Sequence, residues 1–209
     1  TAYDGCGDVN IEVIEQTIPG SCSGEYTISR TFIATDDCGN SAIASQMITI
    51  VDNISPVFVS VPSDYTAECT AELVDEDAIA SDNCSDVTIE VFDNEIPGSC
   101  SGEYTIIRTF IAVDDCGNSS VAVQTISVVD TRAPVFIDIP ADYTAECSDD
   151  LSNQDPLVTD GCGDADIEVI DLVIPGSCSG EYTISRTFIA TDDCGNSSIA
   201  TQMISIVDT

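Results

Sequence analysis

Eleven cysteines carry the most conspicuous chemistry in this 209-residue sequence, and they recur in phase. The segment IPGSCSGEYTI begins at Ile18, Ile96 and Ile174, so the sequence repeats every 78 residues. A fixed period of this size indicates an array of one small module. The sequence contains no CxxC pair and no histidine, whereas zinc sites usually have close cysteine pairs or histidine. The cysteines therefore predict disulfides and an oxidising compartment.

The period divides the chain into a partial repeat at residues 1–53 and complete repeats at 54–131 and 132–209. Each complete repeat has four cysteines and the partial repeat has three. A module of this size buries a marginal core, so covalent staples are expected. We interpret the odd cysteine total as the mark of an incomplete module within a longer array, not as a free reactive thiol.

The pairing of the cysteines follows from the expected strands. Four cysteines allow three connectivities. Cys84 precedes one strand and Cys116 follows the next long strand, so a hairpin brings both to one end and leaves Cys69 for Cys100. Each bridge would contribute roughly 3 to 4 kcal/mol on the chain-entropy model. Cys22 is left for the cysteine that is missing from the incomplete first repeat. Applied to every repeat, this predicts five disulfides: Cys6–Cys38, Cys69–Cys100, Cys84–Cys116, Cys147–Cys178 and Cys162–Cys194.

Acidic loops offer a candidate calcium site, because calcium takes carboxylate and amide oxygens. The repeated DDCGNS segment supplies such oxygens, and a second candidate lies at the repeat junctions, where Asp52 and Asn53, or Asp130, could meet Asp82 or Asp86. The alternatives are a hairpin turn, in which Asp accepts backbone hydrogen bonds and glycine takes positive φ, and an ordinary acidic linker. The candidate calcium ligands are Asp36, Asp37, Asn40, Asp52, Asp114, Asp115, Asn118, Asp130, Asp192, Asp193 and Asn196.

Three of the four basic residues occupy one position of the repeat, in the middle of an alternating strand. An arginine on the apolar face needs a carboxylate partner, and cross-strand diagonals are within reach of long side chains. In a register set by a bridge between Cys84 and Cys116, a glutamate lies diagonal to each arginine. This predicts the ion pairs Glu12–Arg30, Glu90–Arg108 and Glu168–Arg186; a ligand-binding role for the arginines is the alternative.

A formal charge of -34, from 4 basic and 38 acidic residues, excludes several partners. Nucleic acid and anionic lipid both need a basic surface, and no apolar run reaches the roughly 20 residues of a membrane span. Such acidity suits a high-salt habitat, where screening relieves repulsion, or cations held between carboxylates. Without histidine the usual base of nucleophilic triads is missing, and every acidic feature is copied in each repeat. We predict that the chain is not an enzyme.

The secondary structure is expected to be strands throughout. Tyr104, Ile106, Arg108, Phe110 and Ala112 alternate with a second set of side chains, the period of a half-buried strand. Short segments of this kind are separated by Pro, Gly, Asn and Asp, which favour turns. We predict an all-β fold of tandem immunoglobulin-like β-sandwich repeats, stapled by disulfides, with linkers short enough to give a semi-rigid rod.

Several repeated segments resemble one family. Asp82 to Cys84 read DNC, Asp115 to Asn118 complete a D-x-x-G-N turn that begins at Asp114, Thr125 to Asp130 close the repeat, and APVF opens the next at Ala133. These features are similar to the hyalin-repeat (HYR-like) modules of bacterial surface proteins. The resemblance implies immunoglobulin-like units of large secreted adhesins and gliding-type filaments, often exported by a type IX pathway.

These observations together predict a structural role outside the cell. We expect a component of a bacterial extracellular filament or stalk, secreted or on the cell surface, whose near-identical copies associate with themselves and contact an unknown surface or glycan. The alternative is a passive, calcium-stiffened spacer that presents a distal ligand-binding domain.

Overall fold

The computed structural model describes residues 1–149, 151 and 154–208, and these residues form strands, turns and no helix. Accordingly, none of the described segments is a helix that could cross a membrane. The strands are β1 (Val9–Pro19), β2 (Tyr26–Asp36), β3 (Ser41–Ile50), β4 (Val57–Ser60), β5 (Tyr65–Glu68), β6 (Ile79–Ser81), β7 (Val87–Pro97), β8 (Tyr104–Asp114), β9 (Ser119–Val129), β10 (Val135–Asp138), β11 (Tyr143–Glu146), β12 (Leu157–Thr159), β13 (Ala165–Pro175), β14 (Tyr182–Asp192) and β15 (Ser197–Val207).

The sheets repeat with the sequence. The third repeat has a four-stranded sheet in the order β11-β15-β14-β13 and a two-stranded sheet of β10 and β12. The middle repeat has the same pair of sheets, β5-β9-β8-β7 and β4-β6, whereas the first has the three-stranded sheet β1-β2-β3. Strand β11 runs parallel to β15, and β13, β14 and β15 are antiparallel. The predicted all-β, sandwich-type fold is confirmed.

Alternation along β14 shows how the core forms. Ile184, Arg186, Phe188, Ala190 and Asp192 are all buried, and the residues between them are partly exposed. Since successive side chains of a strand point to opposite faces, this is the two-residue period read from the sequence. The core of the third repeat is completed by Ile204 and Ile206 of β15 and Tyr143 of β11, with Tyr182 of β14 and Leu151 of the loop after β11.

Two polar contacts fix β11 along β15. The carboxylate of Asp142 accepts a hydrogen bond from the backbone N–H of Met203 at 2.7 Å, and Gln202, almost fully buried, donates from Nε2 to the carbonyl of Ala141 at 2.9 Å. A buried amide is tolerated when it is hydrogen-bonded, so Gln202 anchors the loop that leads into β11.

The chain forms two compact units, and the middle repeat contributes to both. One unit consists of Thr1–Ser63, Glu76–Phe92 and Arg108–Gln124, and the other of Asp64–Asp75, Asp93–Ile107 and Thr125–Thr209. The repeat boundaries at residues 54 and 132 therefore stay a prediction from the sequence as domain limits.

Candidate functional site at the repeat junctions

The hairpins sort the four cysteines of a repeat into two pairs at opposite ends. In the third repeat Ala165 pairs with Asp192, so Cys162 and Cys194 lie together beyond that end of the hairpin. Cys178 lies in the turn at the other end, and Cys147 follows β11 on the same side. Because a strand rises about 3.3 Å per residue, the 11 residues of β13 separate the two ends by about 36 Å.

Each disulfide joins one repeat to the next. Cys22 bonds to Cys116, Cys69 to Cys162 and Cys100 to Cys194, with Cα–Cα distances of 5.1, 5.8 and 5.2 Å. The separations along the sequence are 94, 93 and 94 residues. A cysteine at the far end of one repeat therefore reaches a cysteine at the near end of the following repeat, always in the same register.

The predicted disulfides within repeats are wrong. Cys69–Cys100, Cys84–Cys116 and Cys162–Cys194 do not form, because Cys69, Cys100, Cys116, Cys162 and Cys194 are bonded across junctions. The sequence grouped the cysteines correctly by hairpin end, but the two at one end face the adjoining repeat, not each other. Five cysteines carry free, exposed thiols, so Cys6–Cys38 and Cys147–Cys178 are absent as well: Cys6, Cys38, Cys84, Cys147 and Cys178.

The D-x-x-G-N turns contain and position one cysteine of each repeat. Asp114 Oδ1 accepts the backbone N–H of Cys116 at 2.9 Å and that of Asn118 at 2.8 Å, and Oδ2 accepts the Asn118 side chain at 2.9 Å. Gly117 takes φ of 87°, which favours glycine. Burial raises the pKa of Asp114, but the hydrogen bonds of the turn outweigh it and hold the pKa below its usual value. Asp36 and Asp192 accept the same bonds in their turns.

The same turns also hold the linkers between repeats. Asn118 Nδ2 donates to the carbonyl of Asp52 at 3.3 Å, and Asn196 Nδ2 donates to that of Asp130 at 3.2 Å. Asn118 therefore connects the start of β9 to the linker before the second repeat. Asn196 connects the start of β15 to the linker before the third repeat. The sequence named these residues as candidate calcium ligands and offered the turn as the alternative; the geometry is that of the turn, and calcium binding there stays a prediction.

Backbone segments of neighbouring repeats pack closely at the junctions. Gly102 has φ of 83°, and a Cβ at this position would lie 2.8 Å from the Cβ and carbonyl oxygen of Cys162. Ser101 Oγ donates to the same carbonyl at 3.4 Å. In the first unit Ser23 Oγ donates to Asp115 Oδ2 at 2.6 Å. Asp115, one of the candidate calcium ligands, thus contacts the preceding repeat.

Acidic side chains gather beside one free thiol. Asp52 is 8% exposed; its Oδ1 accepts the N–H of Ile54 at 3.2 Å, whereas Oδ2 is buried without a hydrogen-bond partner. A carboxylate oxygen of Asp52, one of Asp82 and the sulfur of Cys84 lie within 4.8 Å of one another. Burial and then the nearby carboxylates raise the pKa of the Cys84 thiol. The structure thus brings together Asp52 and Asp82, as the junction hypothesis expected.

Two predicted arginine pairs are wrong by one step of register. Glu12 lies opposite Ile33 and Glu168 opposite Ile189, so Glu12–Arg30 and Glu168–Arg186 are not ion pairs. The partners are instead the acids directly across the hairpin. Arg30 Nε donates to Glu15 at 2.6 Å, and Arg186 donates to both oxygens of Asp171 at 2.8 and 2.9 Å. The corresponding position in the middle repeat is Asp93, and the pair Glu90–Arg108 stays a prediction that this register disfavours.

Comparison with protein families gives one match: residues 135–206 fit the family model described as HYR-like domain with 4 cysteines. The third repeat is therefore similar to the family that the sequence motifs indicated. A search of curated proteins found no match.

Solved structures with a similar fold include chains of cadherin domains. Protocadherin Gamma B2 extracellular cadherin domains 1-5 is 14% identical, with a TM-score of 0.34, over 95% of this chain and 53% of that one. Drosophila N-cadherin EC1-4 gives 14% identity and a TM-score of 0.31, over 99% and 69%. The protocadherin gammaB7 EC3-6 cis-dimer gives 13% and 0.36, over 97% and 67%. This chain thus spans about half of the first of these and about two thirds of the others.

Proposed function

We propose that this chain is a structural section of an extracellular array, a stalk or filament on a bacterial surface, whose consecutive repeats are locked together by disulfides. The observation that carries the proposal is the constant register of the three bridges, 93 or 94 residues. If the disulfides served only to stabilise each repeat separately, they would be expected within repeats. Bridges between repeats instead resist separation of neighbouring repeats under load.

The bridges shorten the covalent path along the chain. A stretched, oxidised chain can extend only over residues 1–22, 100–116 and 194–209, because the bridges Cys22–Cys116 and Cys100–Cys194 bypass the rest. At up to about 3.6 Å per residue, these segments of about 55 residues extend to about 200 Å. The reduced chain extends to about 750 Å by the same rule. An array built in this way carries tension without complete unfolding.

The chemistry of the chain supports an extracellular place and a non-catalytic role. Disulfides persist in oxidising environments, and the match to a HYR-like domain agrees with a secreted, adhesive setting. The acidic residues that could serve as acid–base pairs are used repeatedly in turns and junctions.

An exposed edge supports association of the array with itself. Strand β13 lies at the edge of its sheet, and apolar side chains such as Leu172 and Val173 are more than half exposed. An unpaired strand edge with apolar side chains is a template for pairing with another chain.

Force spectroscopy of the full chain, held by tags at both ends, tests the proposal. We expect the oxidised chain to break from the surface before extending much beyond about 200 Å. Reducing agent should release the full contour. A Cys116→Ser variant should lengthen the extension of the oxidised chain, whereas Cys84→Ser, which removes a free thiol, should leave it unchanged. Full extension of the oxidised wild-type chain would contradict the proposal.

A calcium-stiffened spacer is the second candidate, and one observation favours it. The buried Oδ2 of Asp52 has no hydrogen-bond partner, and the carboxylate of Asp82 lies beside it. An unpaired buried carboxylate oxygen is costly, and a cation would relieve that cost. The test is thermal unfolding at fixed high ionic strength in calcium, magnesium or chelator. A rise in Tm with calcium alone, lost in Asp82→Asn, supports the site; equal Tm values contradict it.

A further inference from the structure

A buried carboxylate lies beside a disulfide that joins the second repeat to the third. The sulfurs of Cys69 and Cys162 and a carboxylate oxygen of Asp130 all lie within 4.8 Å of one another. Both cysteines are partly buried, and Asp130 is 6% exposed. Among the described residues, the carboxylate of Asp130 accepts one hydrogen bond, from the N–H of Arg132 at 3.1 Å. The fold therefore holds two sulfurs and a carboxylate oxygen together at this junction.

We propose that this junction binds zinc, or a thiolate-binding metal ion of the same class, when the Cys69–Cys162 bridge is reduced, with Cys69, Cys162 and Asp130 as the ligands. The inference rests on the proposed function, because it concerns the same bridge under reducing conditions. The ion replaces the disulfide as the link between the two repeats. The junction thus has a covalent form under oxidising conditions and a metal-held form under reducing conditions.

The donor atoms suit zinc better than calcium or magnesium. Thiolates are soft ligands that select zinc, whereas calcium and magnesium take oxygen ligands. A tetrahedral zinc ion accepts cysteine sulfur and carboxylate oxygen together, and three protein ligands leave its fourth position to water. The sequence carries no local motif for such a site, because Cys69 and Cys162 are 93 residues apart.

The backbone at the bridge can remain in place when the ion binds. Two sulfurs on a tetrahedral zinc ion lie about 3.8 Å apart, compared with about 2.0 Å in a disulfide. The Cα atoms of Cys69 and Cys162 are 5.8 Å apart, so rotation of the two side chains supplies the difference. Asp160 Oδ1 accepts the backbone N–H of Cys162 at 2.8 Å and fixes the backbone of that ligand.

A cavity of about 210 Å³ gives access to the site, and its lining includes Thr70, Arg132, Asp160 and Cys162. A metal site needs such an entry path. The guanidinium of Arg132 opposes a cation, but two thiolates and one carboxylate carry three negative charges. The acidic chain as a whole also attracts cations. The electrostatic balance therefore favours binding.

The other bridges differ in the carboxylates near them. Glu103 lies within the same distance of the sulfurs of Cys100 and Cys194, but it is partly exposed, so this second set is the weaker one. Among the described residues, no carboxylate oxygen lies this close to both sulfurs of the Cys22–Cys116 bridge. That bridge, once reduced, offers two thiols without a third ligand and serves as an internal control.

Reduction and metal binding are separate steps, and each balances. A phosphine cleaves the S–S bond and is oxidised to the phosphine oxide with the oxygen of one water molecule. The two protons of that water complete the thiols of Cys69 and Cys162. Zn²⁺ then replaces both thiol protons, which pass to the buffer, and the ionised carboxylate of Asp130 binds without proton release.

The experiment starts from the oxidised full chain. Iodoacetamide first blocks the free thiols, and a disulfide map of this material records the bridges. A phosphine then reduces the bridges in the absence of oxygen, and cobalt(II) is added as a spectroscopic probe. We expect a thiolate-to-cobalt charge-transfer band and the visible bands of a tetrahedral site, which zinc removes and excess calcium leaves. The blocked thiols are Cys6, Cys38, Cys84, Cys147 and Cys178.

Cysteine variants locate the ion. Zinc bound in competition with a chelator is counted for each reduced chain. Cys69→Ser/Cys162→Ser should lose one tightly bound zinc ion, whereas Cys22→Ser/Cys116→Ser should lose none. A count that is the same for both double variants would overturn the inference.

A carboxylate variant separates a built site from capture by two flexible thiols. Asp130→Asn keeps both thiols and the acceptor for the N–H of Arg132, and it should weaken zinc binding at least about tenfold. Asp52→Asn, at the same position of the preceding repeat, is the matched control and should leave the affinity unchanged. Binding that is insensitive to Asp130→Asn would overturn the inference.

The disulfide map distinguishes the failure of this inference from the failure of the proposed function. If the bridges Cys22–Cys116, Cys69–Cys162 and Cys100–Cys194 are present and the reduced chain binds no zinc, only this inference fails. If those bridges are absent from the oxidised chain, the proposed function fails.

Discussion

The first and third repeats share a strand of identical sequence in different surroundings. Strands β2 and β14 both read YTISRTFIATD. In β14 Phe188 and Ala190 are 1% and 0% exposed, whereas Phe32 and Ala34 of β2 remain partly exposed and line an open cavity of about 340 Å³ on the sheet. Among the described residues, the third repeat has the strands β10, β11 and β12, whereas the first repeat consists of β1, β2 and β3. The strand pattern is local, but burial depends on the first third of the repeat.

The equivalent arginines of the first and third repeats also differ in burial. The side chain of Arg186 is 10% exposed in its two-point contact with Asp171, whereas that of Arg30 is 36% exposed against Glu15. The hydrogen bond from Arg186 holds the pKa of Asp171 below its usual range. The same register thus yields an ion pair with a buried arginine in one repeat and an ion pair with an exposed arginine in the other.

The largest difference between the repeats is expected for the core phenylalanines. Phe188→Ala should reduce the unfolding free energy of the third repeat by about 4 kcal/mol, because it leaves a cavity in a closed core. Phe32→Ala should cost about 1 kcal/mol or less, because that side chain is already partly solvated. Hydrogen exchange in β3 and β15, whose peptides differ in sequence, reports each repeat separately. Equal losses would contradict the contrast.

The arginines should give the next largest difference. Arg186→Ala removes a largely buried guanidinium and both of its hydrogen bonds to Asp171, and should cost about 2 kcal/mol. Arg30→Ala removes an exposed pair and should cost less than about 1 kcal/mol. The same exchange experiment measures both, and Arg186→Lys, which loses the two-point contact, should fall between them. If Arg30→Ala reduced the stability as much as Arg186→Ala does, Arg30 would be as buried as Arg186, which would contradict the contrast.

The junction asparagines should show a smaller difference. Asn196→Ala loses the bonds to Asp192 and to the linker carbonyl of Asp130 and should cost about 1 to 2 kcal/mol. Asn40→Ala loses the bond to Asp36 and should cost about half as much. Thermal unfolding of the two single variants, with disulfides intact, checks the order. A reversed order would contradict the role of Asn196 in holding the linker.

The smallest change in stability is expected when the pH is lowered. Because the pKa of Asp171 is lowered in the folded chain, its contribution is present above the unfolded pKa of about 4 and is lost as pH falls through the lower folded value. The contribution should be under about 1 kcal/mol after solvent screening. Urea unfolding from pH 6 to pH 2 should show this loss for the wild type and a flatter profile for Asp171→Asn. Identical profiles would contradict the pairing.

Local pattern accounts for what could be predicted from the sequence. The two-residue period of β14 gave the strand and its buried face, and the position of the cysteines around the hairpin gave their grouping at its two ends. The register was off by one residue because it was set by a bridge between Cys84 and Cys116, which does not form. The true partners lie 93 or 94 residues away, and no local pattern reports contacts between neighbouring repeats.

The candidate calcium ligands illustrate a second limit. Aspartate and asparagine in D-x-x-G-N serve equally well as oxygen ligands and as acceptors of turn hydrogen bonds, so residue type alone leaves both open. The structure uses Asp114 and Asn118 in the turn and gives Asn118 the linker carbonyl of Asp52 as well. That last contact spans 66 residues and has no signature in either segment.

Disulfide mapping of the full-length chain tests the central claim most directly. The chain is alkylated to block free thiols, digested without reduction and analysed by mass spectrometry. We predict linked peptides for Cys22–Cys116, Cys69–Cys162 and Cys100–Cys194, with Cys84 alkylated. Peptides that link Cys84 to Cys116 or Cys69 to Cys100 would show that the bridges close within repeats and would contradict the account of a covalently locked array.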